Sequence, residues 1–208
     1  MLKIQTYFPN LTPDQIICFE KMAPVYREWN QNINVISRKD IDSLYEKHIL
    51  HSLAIAKIIA FRPDTRILDV GTGGGLPGIP LAVLFPESRF TLIDSIGKKI
   101  KVVQAVVEEL GLTNVTAIHT RVQDVNDEFD FVISRAVTAF PEFVALVRKN
   151  ISRLPRNSRP NGIIYLKGGD FQEEISKFRT SIEVSEISDF FSEPFFETKK
   201  VIYLPVNR

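Results

Sequence analysis

Five glycines crowd into Asp69-Val70-Gly71-Thr72-Gly73-Gly74-Gly75-Leu76-Pro77-Gly78, directly after the apolar pair Ile67-Leu68. Glycine accepts positive φ and carries no Cβ, so a ligand can lie against backbone amides where such a loop delivers the chain into a helix. Gly73, Gly75 and Gly78 spell GxGxxG, which suits the pyrophosphate of a dinucleotide. Gly71, Gly73 and Gly75 spell GxGxG two residues after Asp69, which suits a nucleoside bearing methionine and no phosphate.

Asp69 separates these readings. An anion at the strand end repels a pyrophosphate, yet it can orient the cationic amino-acid part of S-adenosylmethionine, directly or through water. Asp94 ends the next strand-like run, placed to accept hydrogen bonds from ribose hydroxyls in either fold. His48 and His51 stand three apart on a helical stretch, but no further Cys or His accompanies them, so no metal site is expected.

The elements that must position these residues follow from periodicity and punctuation. Thr12-Pro13-Asp14-Gln15 has a cap, a proline at the first helical position and a glutamine three residues after the cap. Apolar residues then recur at Ile16, Phe19, Met22, Val25, Tyr26 and Trp29, the spacing of one helical face. A second amphipathic helix is predicted over Asp40 to Ala60. From Arg66 the chain alternates strands (Arg66 to Val70, Arg89 to Ile93, Val115 to His119, Phe131 to Ser134, Ile163 to Leu166) with helices (near Ile79 to Leu84, Lys98 to Leu110, near Pro141 to Ile151). That alternation means a mostly parallel sheet with helices on both faces. A last helix near Phe171 to Arg179 and two β-rich stretches, Ile182 to Phe190 and Lys199 to Pro205, close the pattern. A terminal strand pair separates a methyltransferase sheet from plain dinucleotide-binding folds. The expectation is an α/β, Rossmann-like class I methyltransferase with a seven-stranded sheet. Residues 63–208 form the domain, and residues 1–62 a helical extension packed on it.

Composition narrows the setting. The longest nearly apolar stretch, Leu76 to Phe85, is short and broken by Pro77 and Pro80, so no membrane span is expected. The opening residues lack the apolar core of a secretory signal. Cys18 is the single cysteine, which excludes an internal disulfide and fits a reducing, cytoplasmic compartment. The formal net charge is +1, but Arg148, Lys149, Arg153, Arg156, Arg159 and Lys167 fall in a span free of acids, while residues 170–197 are acidic. Such runs are either solvated surface or a face for an anionic polymer.

Asp69 to Pro80, DVGTGGGLPGIP, resembles the signature loop of the glucose-inhibited division protein B family, the small-subunit ribosomal RNA guanine-N7 methyltransferases. The resemblance extends to His48-Ile49-Leu50-His51-Ser52, Asp94-Ser95 with Lys98-Lys99, Arg121-Val122, Ile133-Ser134-Arg135-Ala136 and Leu166-Lys167-Gly168, in order and spacing. His51 departs from it, since many relatives carry aspartate there. The resemblance implies that Gly71 and Leu76 line an S-adenosylmethionine site with Asp69, Gly73 and Gly75, that Asp94 takes the ribose, that Val122 and Gln123 flank the adenine, and that Arg135 sits beside the site.

It further implies a small-subunit ribosomal RNA or assembled small-subunit partner and a monomeric enzyme. N7 of guanine carries a free lone pair, so methylation there needs no general base, and Arg135 becomes the substrate-positioning residue. Lys98, Lys99, Arg121, Arg148, Lys149, Arg153, Arg156, Arg159 and Lys167 are then candidates for phosphate contact. A methyltransferase for another RNA, a protein or a small molecule would share the loop. A nicotinamide dehydrogenase would need a hydride-transfer residue that the sequence does not offer. A non-catalytic RNA-binding module would need no cofactor.

Overall fold

The computed structural model describes residues 2–135, 137–169, 171–178 and 180–206. Ala136, Asp170 and Arg179, which belong to sequence patterns noted above, lie outside them. Seven strands form one sheet: β1 (Arg66–Val70), β2 (Arg89–Asp94), β3 (Val115–His119), β4 (Phe131–Arg135), β5 (Gly162–Gly168), β6 (Glu183–Glu186) and β7 (Lys199–Pro205). Their order is β3-β2-β1-β4-β5-β7-β6. β1 to β5 pair in parallel, and β7 enters antiparallel between β5 and β6. This is the mostly parallel sheet with a terminal pair that the alternation predicts.

Side chains alternate across the sheet, as the strand period demands. Ile67, Ile133 and Ile164 pack on one face with the helices Pro13–Asn32, Gly78–Leu84 and Gly97–Leu110. Leu68, Val132 and Ile163 pack on the other with Phe140–Val147 and Gln172–Ile175. The N-terminal segment is continuous with the first of these cores, to which it contributes Phe19, Met22, Tyr26, Leu44 and Leu53.

Helix Pro13–Asn32 starts as its capping box predicts. Gln15 N donates to Thr12 Oγ1 at 3.3 Å, and Thr12 N donates to Gln15 Oε1 at 2.9 Å. The same Gln15 amide donates to Val83 O and Leu84 O, satisfying carbonyls at the end of helix Gly78–Leu84. The single helix expected over Asp40 to Ala60 is instead a composite: a 3-10 turn (Ile41–Ser43), a π-helical stretch (Leu44–Leu50) and two short α-helical pieces (His51–Leu53, Ile55–Ile58). Apolar spacing reports which side faces the core, not how tightly the backbone winds. Two further expectations shorten. The last helix is Gln172–Ile175 with one 3-10 turn, and the first closing β-stretch is the four-residue β6. Helix Leu2–Tyr7 had no sequence signal.

Candidate functional site

β1 runs out at Asp69-Val70, and the glycine loop turns back with φ of +67°, +61° and +93° at Gly71, Gly73 and Gly75. These are left-handed conformations that side chains resist. Asp69 holds the loop to the helix it feeds. Its Oδ2 accepts from Thr72 Oγ1 at 2.6 Å and from Gly78 N at 2.9 Å. Asp69 is fully buried, and burial pushes its carboxyl up to about 7.

A cavity of about 640 Å³ opens in front of this loop, at the carboxyl ends of the parallel strands where such sheets bind ligands. Gly71, Gly73, Leu76, Asp94, Val122, Gln123 and Arg135 all line it, so seven of the nine expected cofactor residues share one wall system. Asp69 and Gly75 do not. Asp69 lies behind the loop as its internal brace, which corrects the expectation that it faces the ligand. A Cβ at Gly75 would stand 2.3 Å from Ile79 Cδ1, so that glycine serves packing of the following helix.

Asp94 joins two loops. Its Oδ2 accepts from Gly73 N at 3.0 Å, its Oδ1 from Ile96 N at 2.9 Å, and Lys99 Nζ lies 3.8 Å away. Each oxygen keeps a second lone pair, the capacity that ribose hydroxyls need. Ile93, Ile96 and Val122 supply apolar wall beside it. A Cβ at Gly73 would meet nothing within 4 Å, so the space in front of this residue is open to a close ligand. The residues present therefore fit a nucleoside whose other end reaches the glycine loop.

Sequence reasoning missed the contribution of the N-terminal segment. Tyr26 Oη donates to Gly74 O at 2.7 Å. Asn30 accepts from Val35 N and Ile36 N, both at 2.9 Å, and donates to Ile36 O at 2.8 Å, building the turn that lays Val35 on the cavity. A Cβ at Gly74 would stand 3.0 Å from Val35. Val137, also missed, covers Gly71. Tyr26 and Val35 carry no motif; only the tertiary fold brings them to a loop some forty residues onward.

Arg135 ends β4 and reaches both the cavity and the buried groups behind it. Burial lowers its pKa, opposed by Asp69 and Tyr26. No hydrogen bond or ion pair engages its guanidinium among the described residues. Burial, and then Arg135, hold His48 down at about 4 and His51 well below its ordinary value. Burial thus disfavours the charged form of both rings. Both ring nitrogens of His48, Nε2 of His51 and Oδ1 of Asp69 are buried without partners. The His51 ring lies edge-on to Phe195 and Phe196. No cluster of three potential metal ligands occurs among the described residues, and no helix there is long and apolar enough to cross a membrane.

The structure divides the basic candidates. Lys99 and Arg121 line the cavity, and Lys98 is exposed beside it on the first turn of helix Gly97–Leu110. Lys149 is exposed and donates to Gln123 O at 2.6 Å. Lys167 sits at the same edge of the sheet but is largely buried and paired with Glu174, which also accepts from Phe140 N at 2.8 Å. It braces a helix start and offers no free charge. Arg153, Arg156 and Arg159 precede β5 and therefore lie at the amino ends of the parallel strands, across the sheet from the cavity. Arg159 pairs with Glu183 at 2.7 Å, and Arg156 lies 3.9 Å from Asp130. Arg148 borders a second cavity, of about 550 Å³, near the end of β7. A loop entering β5 must stand opposite the strand ends that form the site, so Arg153, Arg156 and Arg159 do not share a face with it.

The family described as GidB, rRNA small subunit methyltransferase G, matches residues 16–202. Relatives named Ribosomal RNA small subunit methyltransferase G from Christiangramia forsetii and Flavobacterium johnsoniae are each 56% identical, over 98% and 100% of this chain and 96% and 99% of their own. The relative of that name from Bacteroides thetaiotaomicron is 52% identical over 96% of this chain and 97% of its own. Among solved structures, precorrin-6y C5,15-methyltransferase from Geobacter metallireducens aligns with a TM-score of 0.56 at 12% identity, covering 83% of this chain and 90% of that one. Aeropyrum pernix fibrillarin in complex with S-adenosyl-L-methionine aligns with a TM-score of 0.52 at 15% identity, covering 74% and 73%. At such identities the likeness shows the fold, that of a class I methyltransferase. By a match over nearly its whole length, cavity and N-terminal segment included, the chain belongs to the GidB family of rRNA small subunit methyltransferases G.

Proposed function

We infer that this protein transfers a methyl group from S-adenosylmethionine to N7 of a guanine in small-subunit (16S) ribosomal RNA, acting in the cytoplasm as a monomer on the RNA or the assembled subunit. The observation that carries this reading is the family match, which spans every element of the cavity wall. The chemistry of the cavity agrees with it. Among its described lining residues Asp94 is the one carboxylate, already holding two backbone amides, and no histidine is present. A site so furnished suits an acceptor atom with a free lone pair and no proton to lose.

When bound, S-adenosylmethionine supplies a methyl group activated on a sulfonium. Asp94 would hold its ribose, Val122 and Gln123 its adenine, and the Gly71 and Gly73 backbone its amino-acid end. Arg135, beyond the other side of β1, stands where the acceptor base must arrive. Residues 1–62 belong to this machinery through Tyr26, Asn30 and Val35. Alignment of acceptor, methyl and sulfur is then the protein's contribution, on the order of 7–11 kcal/mol in favourable cases.

The test is to map N7-methylguanine in small-subunit RNA from cells with and without the gene, alongside calorimetry with S-adenosylmethionine and NAD. One methylated guanine lost with the gene, and binding of the methyl donor alone, is the expected result. An unchanged methylation map, or binding of NAD in place of the methyl donor, overturns the reading.

A further inference from the structure

Two apolar side chains stand over the glycine loop, each fixed by a buried polar residue. Val137 lies on Gly71: a Cβ built there would come within 2.5 Å of its Cγ2. Val35 lies on Gly74 at 3.0 Å by the same measure. Both line the main cavity, yet Val137 remains 45% exposed, and Val35 is half-buried. Both valines therefore present apolar surface to the cavity that Arg135 also lines.

The braces are specific. Tyr165, fully buried on β5 beside Ser134, directs its hydroxyl into the segment after β4. That hydroxyl accepts from Val137 N at 2.9 Å and Thr138 N at 3.3 Å, and donates to Thr138 O at 2.8 Å. On the other side the Asn30 carboxamide holds the backbone of Val35 and Ile36, as described above. One phenol and one amide thus satisfy the backbone polar groups of two turns that no helix or strand would hold.

Resting on the reading above, we propose that Val35 and Val137 are the two sides of the slot that receives the splayed-out purine, with Arg135 at its floor, and that Tyr165 and Asn30 are positioning residues that set its width. The cavity has a direction. Asp94, on β2, would hold the ribose, and the order β2-β1-β4 puts Arg135 and Val137 at the other end of the cavity, the side left for the acceptor base. An RNA base taken out of its stack needs apolar surface against its faces and donors at its edge. Arg135 offers N–H groups that match the O6 acceptor adjoining N7 of guanine. The valines offer the faces.

The experiment compares Val137→Thr, Tyr165→Phe and Asn30→Ala with the parent protein. Single-turnover methylation of small subunits from cells lacking the gene is measured together with affinity for S-adenosylhomocysteine and amide exchange at Val137 and Thr138. Val137→Thr keeps volume, and Tyr165→Phe keeps the ring packed against Phe140 and Phe143. Each should lower the single-turnover rate at saturating subunit by at least about tenfold, with cofactor affinity held within about threefold. Tyr165→Phe should also speed exchange at both amides.

Parallel loss of rate and cofactor affinity would overturn the proposal by making Val137 a cofactor cover. Unchanged rates with lowered stability would make Tyr165 and Asn30 structural only. If Asn30→Ala fails to fold, Asn30→Asp, which keeps both acceptor bonds, should restore folding and rate together. A parent protein that methylates no small subunit refutes the functional reading instead, and the exchange data still decide whether Tyr165 sets the loop.

Discussion

Tyr26 Oη donates a 2.7 Å hydrogen bond to Gly74 O, tying helix Pro13–Asn32 to the glycine loop. Both partners are buried, and burial raises the Tyr26 pKa, so the phenol stays protonated and donating. Tyr26→Phe leaves the ring in place and strands the Gly74 carbonyl. The expected cost is about 1–3 kcal/mol in denaturant unfolding, the usual penalty for a buried unpaired acceptor, with weaker binding of S-adenosylhomocysteine. Parent-like stability and affinity would dissociate the N-terminal segment from the site.

Gly71 and Gly73 share a backbone conformation but not surroundings. Gly71→Ala adds a Cβ 2.5 Å from Val137, whereas Gly73→Ala adds one with no neighbour within 4 Å. Both should destabilise by about 1–2 kcal/mol from left-handed strain, and Gly71→Ala by more. Val137→Ala should relieve the excess in Gly71→Ala and leave Gly73→Ala unaffected, an interaction that a double-mutant cycle measures. Gly73→Ala should fold and lose cofactor affinity, because its methyl group enters the cavity.

Acid should weaken the protein before ordinary carboxylates titrate. His48 is held at about 4, and burial holds His51 well below its ordinary value, against 6.5 when unfolded. From about 6.5 down to 4 the unfolded chain binds more protons at these rings, so stability falls as pH falls. Asp69 acts with opposite sign. Held at about 7 against 3.8, its contribution is full below 3.8 and lost as pH rises through 7. Two histidines outweigh one carboxyl, so the net effect on the acid side is stability that falls as pH falls. Asp69→Asn should steepen the acid limb in urea titrations at several pH values, and His48→Gln should flatten it. Parallel curves for all three proteins would dissolve the cluster.

RNA affinity should depend on charge near the cavity and not on the strand-entry loop. Neutralising Lys98 and Arg121 should reduce the slope of log affinity against log salt by about 1.4–1.8 if each meets one phosphate. Neutralising Arg153, Arg156 and Arg159 should leave the slope unchanged. The reverse pattern would move the RNA face to the opposite edge of the sheet.

The glycine loop and Asp94 were legible because their chemistry demands particular residues at particular steps: no Cβ at Gly71 and Gly73, an acid at the end of β2. The strands were legible because a sheet covered on both faces needs short apolar runs. Tyr26 read only as part of an apolar stripe, since its hydrogen bond depends on a loop 48 positions away. Lys167 read as a free cation because its partner Glu174, seven residues on, arrives only when the chain turns after β5. Asp69 was assigned to the ligand by residue type, and the fold turns its carboxylate inward onto Thr72 and Gly78. Leu2–Tyr7 is too short for periodicity to register.

That first helix has a late partner. Tyr7 Oη accepts from Ser192 N at 2.9 Å and donates to Glu193, and the Tyr7 ring packs edge-on to Phe191 at 4.8 Å. During synthesis, therefore, Tyr7 waits for residues made 185 positions later before it can dock. Until then helix Leu2–Tyr7 has no cover from Phe191, and a nascent chain halted short of residue 190 leaves that surface open to chaperones or to other chains.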